Sequence, residues 1–304
     1  MKNSGRTALL VGASGFVGPW VARSLLEHGW DVIGLARRDY RSPGDGGTYR
    51  SVQADAADPR CREWVESADA VVFNAAHIPA NTTSAAEAEA CVRINSLLPV
   101  TYLEWIAQRP RPFVYISGGQ GYRATGATAT EDDTLFPSGP AAFYLGSKLL
   151  GDLFAEHYRI TRGVPVTVLR IGSIYGPGQR RGMVARFVVQ AKAGDRIVLQ
   201  DGGAHRADLT FVGDVGQAVA ATLANPGIGI VNIGSGIATS ALDAALHVLR
   251  AAGGRPDQIE VIPRSAGGPA PGFATLDIRR ARAELGFKPT PPDVGLARTV
   301  AEWR

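Results

Sequence analysis

The run VGASGFVG, residues 11–18, limits the fold more than any other stretch of this chain. It places Gly12, Gly15 and Gly18 at a G-x-x-G-x-x-G spacing. An apolar run, TALLVGA, precedes it, and FVGPWVARSLLEHG follows with apolar residues at helical spacing. Strand, glycine turn and helix is the context of a dinucleotide site. Gly12 permits the tight turn, Gly15 lets a pyrophosphate approach the backbone, and Gly18 lets helix and strand pack closely. The start of the helix offers unpaired N–H groups and a positive dipole end to phosphates. Pro19 agrees, because proline is tolerated in a first helical turn. Without those flanks the same glycines would make an ordinary turn.

Further strands are predicted at 31–37, 49–55, 69–76, 111–118 and 165–172, each a short run rich in apolar residues. Such runs suit strands buried on both faces of a parallel sheet. Helical stretches lie between them, and Pro99 is expected to kink or divide the longest. The pattern predicts an α/β fold, a Rossmann-like doubly wound parallel sheet with a smaller C-terminal substrate lobe. Residues 1–172 form the dinucleotide-binding lobe, with 208–234 returning to it. Residues 173–207 and 235–304 form the substrate-binding lobe. With 304 residues and 45% hydrophobic side chains the chain has enough apolar material for a large core. No apolar run approaches a membrane span, and the N-terminal apolar stretch reads as a strand rather than a signal peptide.

Cys61 and Cys91 make no metal-like or redox spacing, so a reducing cytoplasm is the expected setting and no metal is expected. The net charge of +4 comes with dispersed arginines, grouped only as Arg37-Arg38, Arg180-Arg181 and Arg279-Arg280. Small anionic ligands explain this better than nucleic acid, since no basic-aromatic platform is legible.

The end of the second strand reports on the cofactor. A carboxylate there bonds the ribose 2′-OH of NAD, whereas an arginine accommodates the 2′-phosphate of NADP. This chain has Ala36 followed by Arg37 and Arg38, which favours NADP(H), with NAD(H) the alternative. In that alternative the arginines face solvent and Asp39 binds the ribose. Asp55, at the end of the third strand, either accepts from the adenine amino group or caps a helix ahead of Pro59.

Tyr144 and Lys148 form Y-x-x-x-K on a predicted helix, which puts both on one face. A tyrosine that exchanges a proton near neutral pH needs its pKa brought down, and a nearby ammonium does that. Together with GASGFVG, ADAAD, VVFNAA, INSLLPV, YISGGQGY, YLGSK, LRIGSIYGPGQ, DLTFVGDV, VNIGSG and LDIRRARAELGFKP, the chain resembles the extended short-chain dehydrogenase/reductases, in their NAD-dependent epimerase/dehydratase branch. Most members of that branch act on nucleotide sugars. The resemblance implies Tyr144 as catalytic acid/base and Lys148 as its partner and ribose ligand. It also implies cofactor contacts from Ser14, Phe16, Val17, Ala56, Ala75 and Ala76 beside those named above. Asn95 would be the structural helix asparagine, and Asp214 would help join the lobes. A homodimer through helices around 84–108 and 140–161 is implied as well.

The departures from the family pattern bear on the reaction. The serine or threonine expected after the fifth strand falls at Gly118 or Gly119, so Ser117 either substitutes for it or is a strand-end serine. The Asp-Glu pair of the sugar dehydratases is absent from this loop, which argues against dehydration. Ser173 stands where relatives have an asparagine that contacts the substrate diphosphate. Arg206 stands one place before the usual arginine position, which is Ala207. Arg180, Arg181 and Arg264 are further candidates to bind a diphosphate. The expected function is NADPH-dependent reduction of a carbonyl on a small molecule, foremost a nucleotide-linked keto-sugar. The alternatives are a nucleotide-sugar epimerase with retained cofactor and a noncatalytic NADP-binding regulator.

Overall fold

The alternation of apolar residues within each strand sorts the core into two layers. On strand β1 (Thr7–Val11), Ala8 and Leu10 join one cluster, while Leu9 and Val11 join the other. Successive side chains on a strand point to opposite faces, so a run apolar at every position must be covered on both sides. The computed structural model describes residues 5–40, 44, 47–80, 84–123, 128–137, 139–263 and 275–303.

After β1 come α1 (Gly18–Glu27), β2 (Asp31–Ala36), β3 (Tyr49–Gln53), α2 (Cys61–Ser67), β4 (Ala70–Phe73), α3 (Ala85–Cys91), α4 (Leu98–Ala107) and β5 (Phe113–Gly118). Then follow β6 (Thr128–Ala129), α5 (Ala142–Arg162), β7 (Val166–Ile171), β8 (Ser173–Tyr175), α6 (Met183–Ala193), β9 (Ile197–Leu199) and β10 (Arg206–Phe211). The remainder is α7 (Val212–Ala224), β11 (Gly229–Ile233), β12 (Ala238–Ser240), α8 (Ala241–Ala251), β13 (Ile259–Val261), β14 (Thr275–Leu276), α9 (Arg279–Leu285) and α10 (Pro292–Ala301). Seven strands form one parallel sheet in the order β3-β2-β1-β4-β5-β7-β11. This is the doubly wound architecture that the alternating pattern predicts. Its strand order reverses beside β1, where such sheets bind ligands at their carboxyl ends.

β8, β10 and β12 make a separate small sheet. A third apolar cluster, with Phe187, Phe211, Val248 and Leu296 among its members, lies between that sheet, α6, α8 and α10. Two buried carboxylates fasten this part to the rest. Asp208 accepts from the backbone N–H groups of Ser235 and Gly236, from the Ser235 hydroxyl and from the N–H of Leu276. Asp214, in the first turn of α7, accepts both the N–H and the hydroxyl of Thr290 at 2.7 Å. These donors offset part of the cost of burying a charge, and burial still raises both carboxyls.

Pro99 does divide the long helical stretch. α4 begins with it in the first turn, and a six-residue π-helical segment, Val92–Leu97, joins α3 to α4. π-Helical turns inside helices commonly mark functional positions. Here the segment carries Asn95 and Ser96, both buried. Among the described residues no helix is long and apolar enough to cross a membrane.

Candidate active site

A cleft of about 1170 Å³ opens across the carboxyl ends of the sheet strands. Its first wall is the glycine turn. Gly12 has φ +89, and a Cβ there would lie 2.7 Å from the backbone nitrogen of Ala75. Only glycine fits at that point. A Cβ on Gly18 would run into the Ala13 carbonyl, so this residue serves helix–strand packing and does not line the cleft. Gly15 is exposed and lines it, together with Ser14, Phe16 and Val17. Asn74, at the end of β4, donates its side-chain N–H to the Gly12 carbonyl at 3.1 Å and braces the turn.

Arg37 and Arg38 follow the last residue of β2 and line the cleft, both exposed. Arg23 of α1 and Tyr40 border the same end. The sequence reading missed these two, which the turn of α1 and the chain after β2 bring together. Asp55, Ala56, Ala75 and Ala76 line the cleft as well. Asp55 Oδ1 accepts the N–H of Ala57 at 2.8 Å, and α2 starts only at Cys61. The carboxylate therefore closes a local turn, and the helix-cap alternative falls away.

Tyr144, Lys148 and Ser117 line the floor. Burial, with charge on Cys91 a second cause, pushes the Tyr144 phenol up to about 12. Burial lowers the Lys148 ammonium to about 8 against an upward pull from the Asp152 carboxylate. Helical spacing thus brings tyrosine and lysine to one face as expected, yet the phenol is raised rather than lowered. Desolvation dominates at the phenol, while the Lys148 Nζ sits 4.2 Å from the centroid of the Tyr115 ring.

The helix carrying both is tied to the chain around it through Asn95. Its Oδ1 accepts the N–H of His77 at 2.7 Å, and its Nδ2 donates to the His77 carbonyl and the Ser147 hydroxyl, each at 2.9 Å. Ser147 in turn donates to the Tyr144 carbonyl at 2.7 Å, and Ser96 to the Ser147 carbonyl at 2.7 Å. His77 lines the cleft and pairs with Glu87 at 2.5 Å.

The expected substrate residues divide. Ser173, Arg180 and Arg181 line the cleft, and among the described residues neither arginine has a carboxylate partner. Arg206 does not line it. His205 just before β10 and Ala207 and Leu209 on it face the cleft, and alternation turns Arg206 the other way, exposed. The one-residue displacement legible in the sequence therefore removes that arginine from the site. Arg264 lies outside the described residues. Ser117 Oγ is buried with no hydrogen-bond partner within range, and it lies near Asp152, whose carboxyl burial raises and Arg170 and Ser117 pull back down. Gly118 has room for a side chain, since a Cβ there would lie 3.5 Å from Leu145. Gln120, which the sequence reading passed over, is exposed in the cleft and donates to Ser173 Oγ at 2.5 Å.

Residues 8–234 match the model of the NAD dependent epimerase/dehydratase family. The chain is 30% identical to the low-salt glycan biosynthesis protein Agl12 of Haloferax volcanii, covering 92% of this chain and 93% of that protein. It is 27% identical to dTDP-4-dehydro-6-deoxy-D-allose reductase of Streptomyces bikiniensis, over 99% and 96% of the two chains. Relatives of similar identity are a dTDP-glucose 4,6-dehydratase and a UDP-glucose 4-epimerase. Among solved structures, MoeE5 in complex with UDP-glucuronic acid and NAD superposes with a TM-score of 0.82 at 25% identity, over 97% of this chain and 98% of that one.

Proposed function

Since the chain belongs to the NAD-dependent epimerase/dehydratase family and is an NAD(P)-dependent enzyme of the extended short-chain dehydrogenase/reductase type, we propose that it reduces a carbonyl on a nucleotide-linked keto-sugar at the expense of NADPH. The observation that carries this reading is that Arg37 and Arg38 border the same cleft as Tyr144 and Lys148. The carboxylate of an NAD site is missing where those arginines stand.

The glycine turn fits a dinucleotide, because a side chain at Gly12 would fill the space and Gly15 leaves the backbone open. In this reading Ser14, Gly15, Phe16 and Val17 hold the pyrophosphate at the start of α1, with Gly18 packed beneath. Arg37 and Arg38 take the 2′-phosphate, with Arg23 adding positive charge. Asp55 and Ala56 border the adenine, and Ala75 and Ala76 border the middle of the cofactor. When bound, the nicotinamide supplies hydride for the carbonyl carbon. Tyr144 supplies the proton to the carbonyl oxygen, and its raised pKa keeps that proton in place at neutral pH. Lys148 keeps positive charge beneath the developing alkoxide and holds the ribose. Arg180 and Arg181 take the diphosphate of the sugar nucleotide, and Ser173 and Gln120 meet the sugar. Gly118 leaves space where relatives place a hydroxyl side chain, which suits a bulkier substrate.

The relation to a dTDP-keto-sugar reductase supports this direction. The second reading is a nucleotide-sugar epimerase that retains its cofactor, supported by Arg180 and Arg181, which have no carboxylate partner among the described residues, as anchors for a diphosphate and by a relative of that name. Release and enzymatic assay of cofactor from purified protein separates them. The reductase exchanges NADPH freely; tightly retained NAD would favour the epimerase.

A further inference from the structure

A line of buried charge runs behind Lys148, and the catalytic reading does not use it. Asp152 stands one helical turn beyond Lys148 and two beyond Tyr144, so the three share a face of α5. Asp152 is 1% exposed. Its Oδ2 accepts from Arg170 Nε of β7 at 2.9 Å. Arg170 Nη1 donates to the Tyr122 hydroxyl at 2.9 Å and to the Glu131 carbonyl at 3.2 Å, and Tyr122 donates to Asn232 Oδ1. The other carboxylate oxygen, Oδ1, is buried with no hydrogen bond. On β5, in register with Arg170, Ser117 has a hydroxyl that is likewise buried and unbonded.

Lys148 is 3% exposed and rests on the face of Tyr115. Tyr115 of β5 lies under its ammonium, and Asp152 of α5 is the charge that acts on it; Arg170 of β7 and Ser117 of β5 act in turn on Asp152, and Cys91 acts on Tyr144. Asp152 is the carboxylate in this set; Arg170 is a second cation, and the tyrosines and Cys91 are neutral near pH 7. A buried ammonium without an anion sheds its proton.

We propose that Asp152 is a positioning residue that keeps Lys148 charged beneath Tyr144, with Arg170 fixing one carboxylate oxygen and the free oxygen left to the lysine side. Burial raises the Asp152 carboxyl, and Arg170 is the main group that opposes this rise, with Ser117 and Lys148 acting in the same direction. This gives the buried Ser117 hydroxyl a role away from the substrate. The inference rests on the reading of Tyr144 and Lys148 as the reacting pair.

The test follows the lysine itself. The chain has four lysines, at positions 2, 148, 192 and 288, so ¹³Cε-labelled lysine gives a short spectrum that Lys148→Arg assigns. The wild-type midpoint expected for Lys148 is near pH 8. Asp152→Asn lowers that midpoint by about one pH unit or more, and Asp152→Glu restores it. The alkaline limb of kcat moves down in parallel, while KM for the sugar nucleotide stays put. A midpoint unchanged in Asp152→Asn overturns the proposal. If that variant does not fold, the wild-type titration decides alone, since a lysine already neutral at pH 7 overturns the proposal and one still charged upholds it. Turnover by Tyr144→Phe would instead sink the catalytic reading and leave the titration result standing.

Discussion

Gln120 Nε2 donates to Ser173 Oγ at 2.5 Å and joins the turn after β5 to the first residue of β8. Both residues line the cleft that Tyr144 borders. In the proposed binding mode this pair meets the sugar, so Gln120→Ala should raise KM for the sugar nucleotide several-fold. Affinity for NADPH should be unchanged. A loss of about 1–2 kcal/mol is the scale of one hydrogen bond to a neutral partner. Steady-state kinetics check this, and an unaltered KM would remove Gln120 from the substrate contacts.

Lys148 pays for its place in desolvation. Its folded pKa of about 8 lies below the ordinary 10.5. Between those values the unfolded chain holds a proton that the folded chain has released, so stability from this group rises with pH through that window. Below pH 8 the penalty is full, with an upper bound of about 3 kcal/mol. Lys148→Met should therefore melt a few degrees above the wild type at pH 7, even after losing about 1 kcal/mol of contact with Tyr115. The advantage should shrink by pH 10. Thermal melts of both proteins at the two pH values measure it, and a variant less stable at pH 7 would contradict the argument.

Arg37→Ala should weaken NADPH binding about tenfold or more and leave NADH binding unchanged. A charge-assisted bond to a phosphate contributes about 1.5–3 kcal/mol. Titrating both coenzymes against both proteins checks this. Equal weakening of the two coenzymes would take Arg37 off the 2′-phosphate.

Leu97, Leu153 and Ile160 are 50%, 59% and 68% exposed. Leu153 and Ile160 are seven residues apart on α5 and share a face, which fits the homodimer that the family resemblance implies. Leu153→Glu with Ile160→Glu should convert a dimer into a folded monomer in sedimentation velocity. A wild-type protein that sediments as a monomer at micromolar concentration would rule the interface out.

What the sequence made legible is what local sterics dictate. Gly12 needs a positive φ whatever surrounds it, and Pro99 lacks the N–H that a continuous helix would use there. Tyr144 and Lys148 share a face through spacing alone. The rest depends on distant partners. Asn95 reaches His77 and Ser147 across separations of 18 and 52 residues. The direction of Arg206 depends on which face of β10 meets the cleft, and Gln120 meets Ser173 only across a separation of 53 residues. The raised Tyr144 pKa comes from burial, which spacing on a helix does not report. Asp152 was within reach, since Y-x-x-x-K-x-x-x-D continues the same helical face.

The central claim is net reduction by Tyr144 and Lys148 using NADPH, and one measurement tests it most directly. The purified enzyme is incubated with dTDP- and UDP-linked 4-keto-sugars and with the parent sugar nucleotides, with and without NADPH. Products are followed by NMR and NADPH by its absorbance. The account predicts one NADPH oxidised for each keto-sugar converted to alcohol, no conversion without NADPH, and no turnover by Tyr144→Phe. Interconversion of two sugar epimers with no net consumption of NADPH would contradict it and make the enzyme an epimerase.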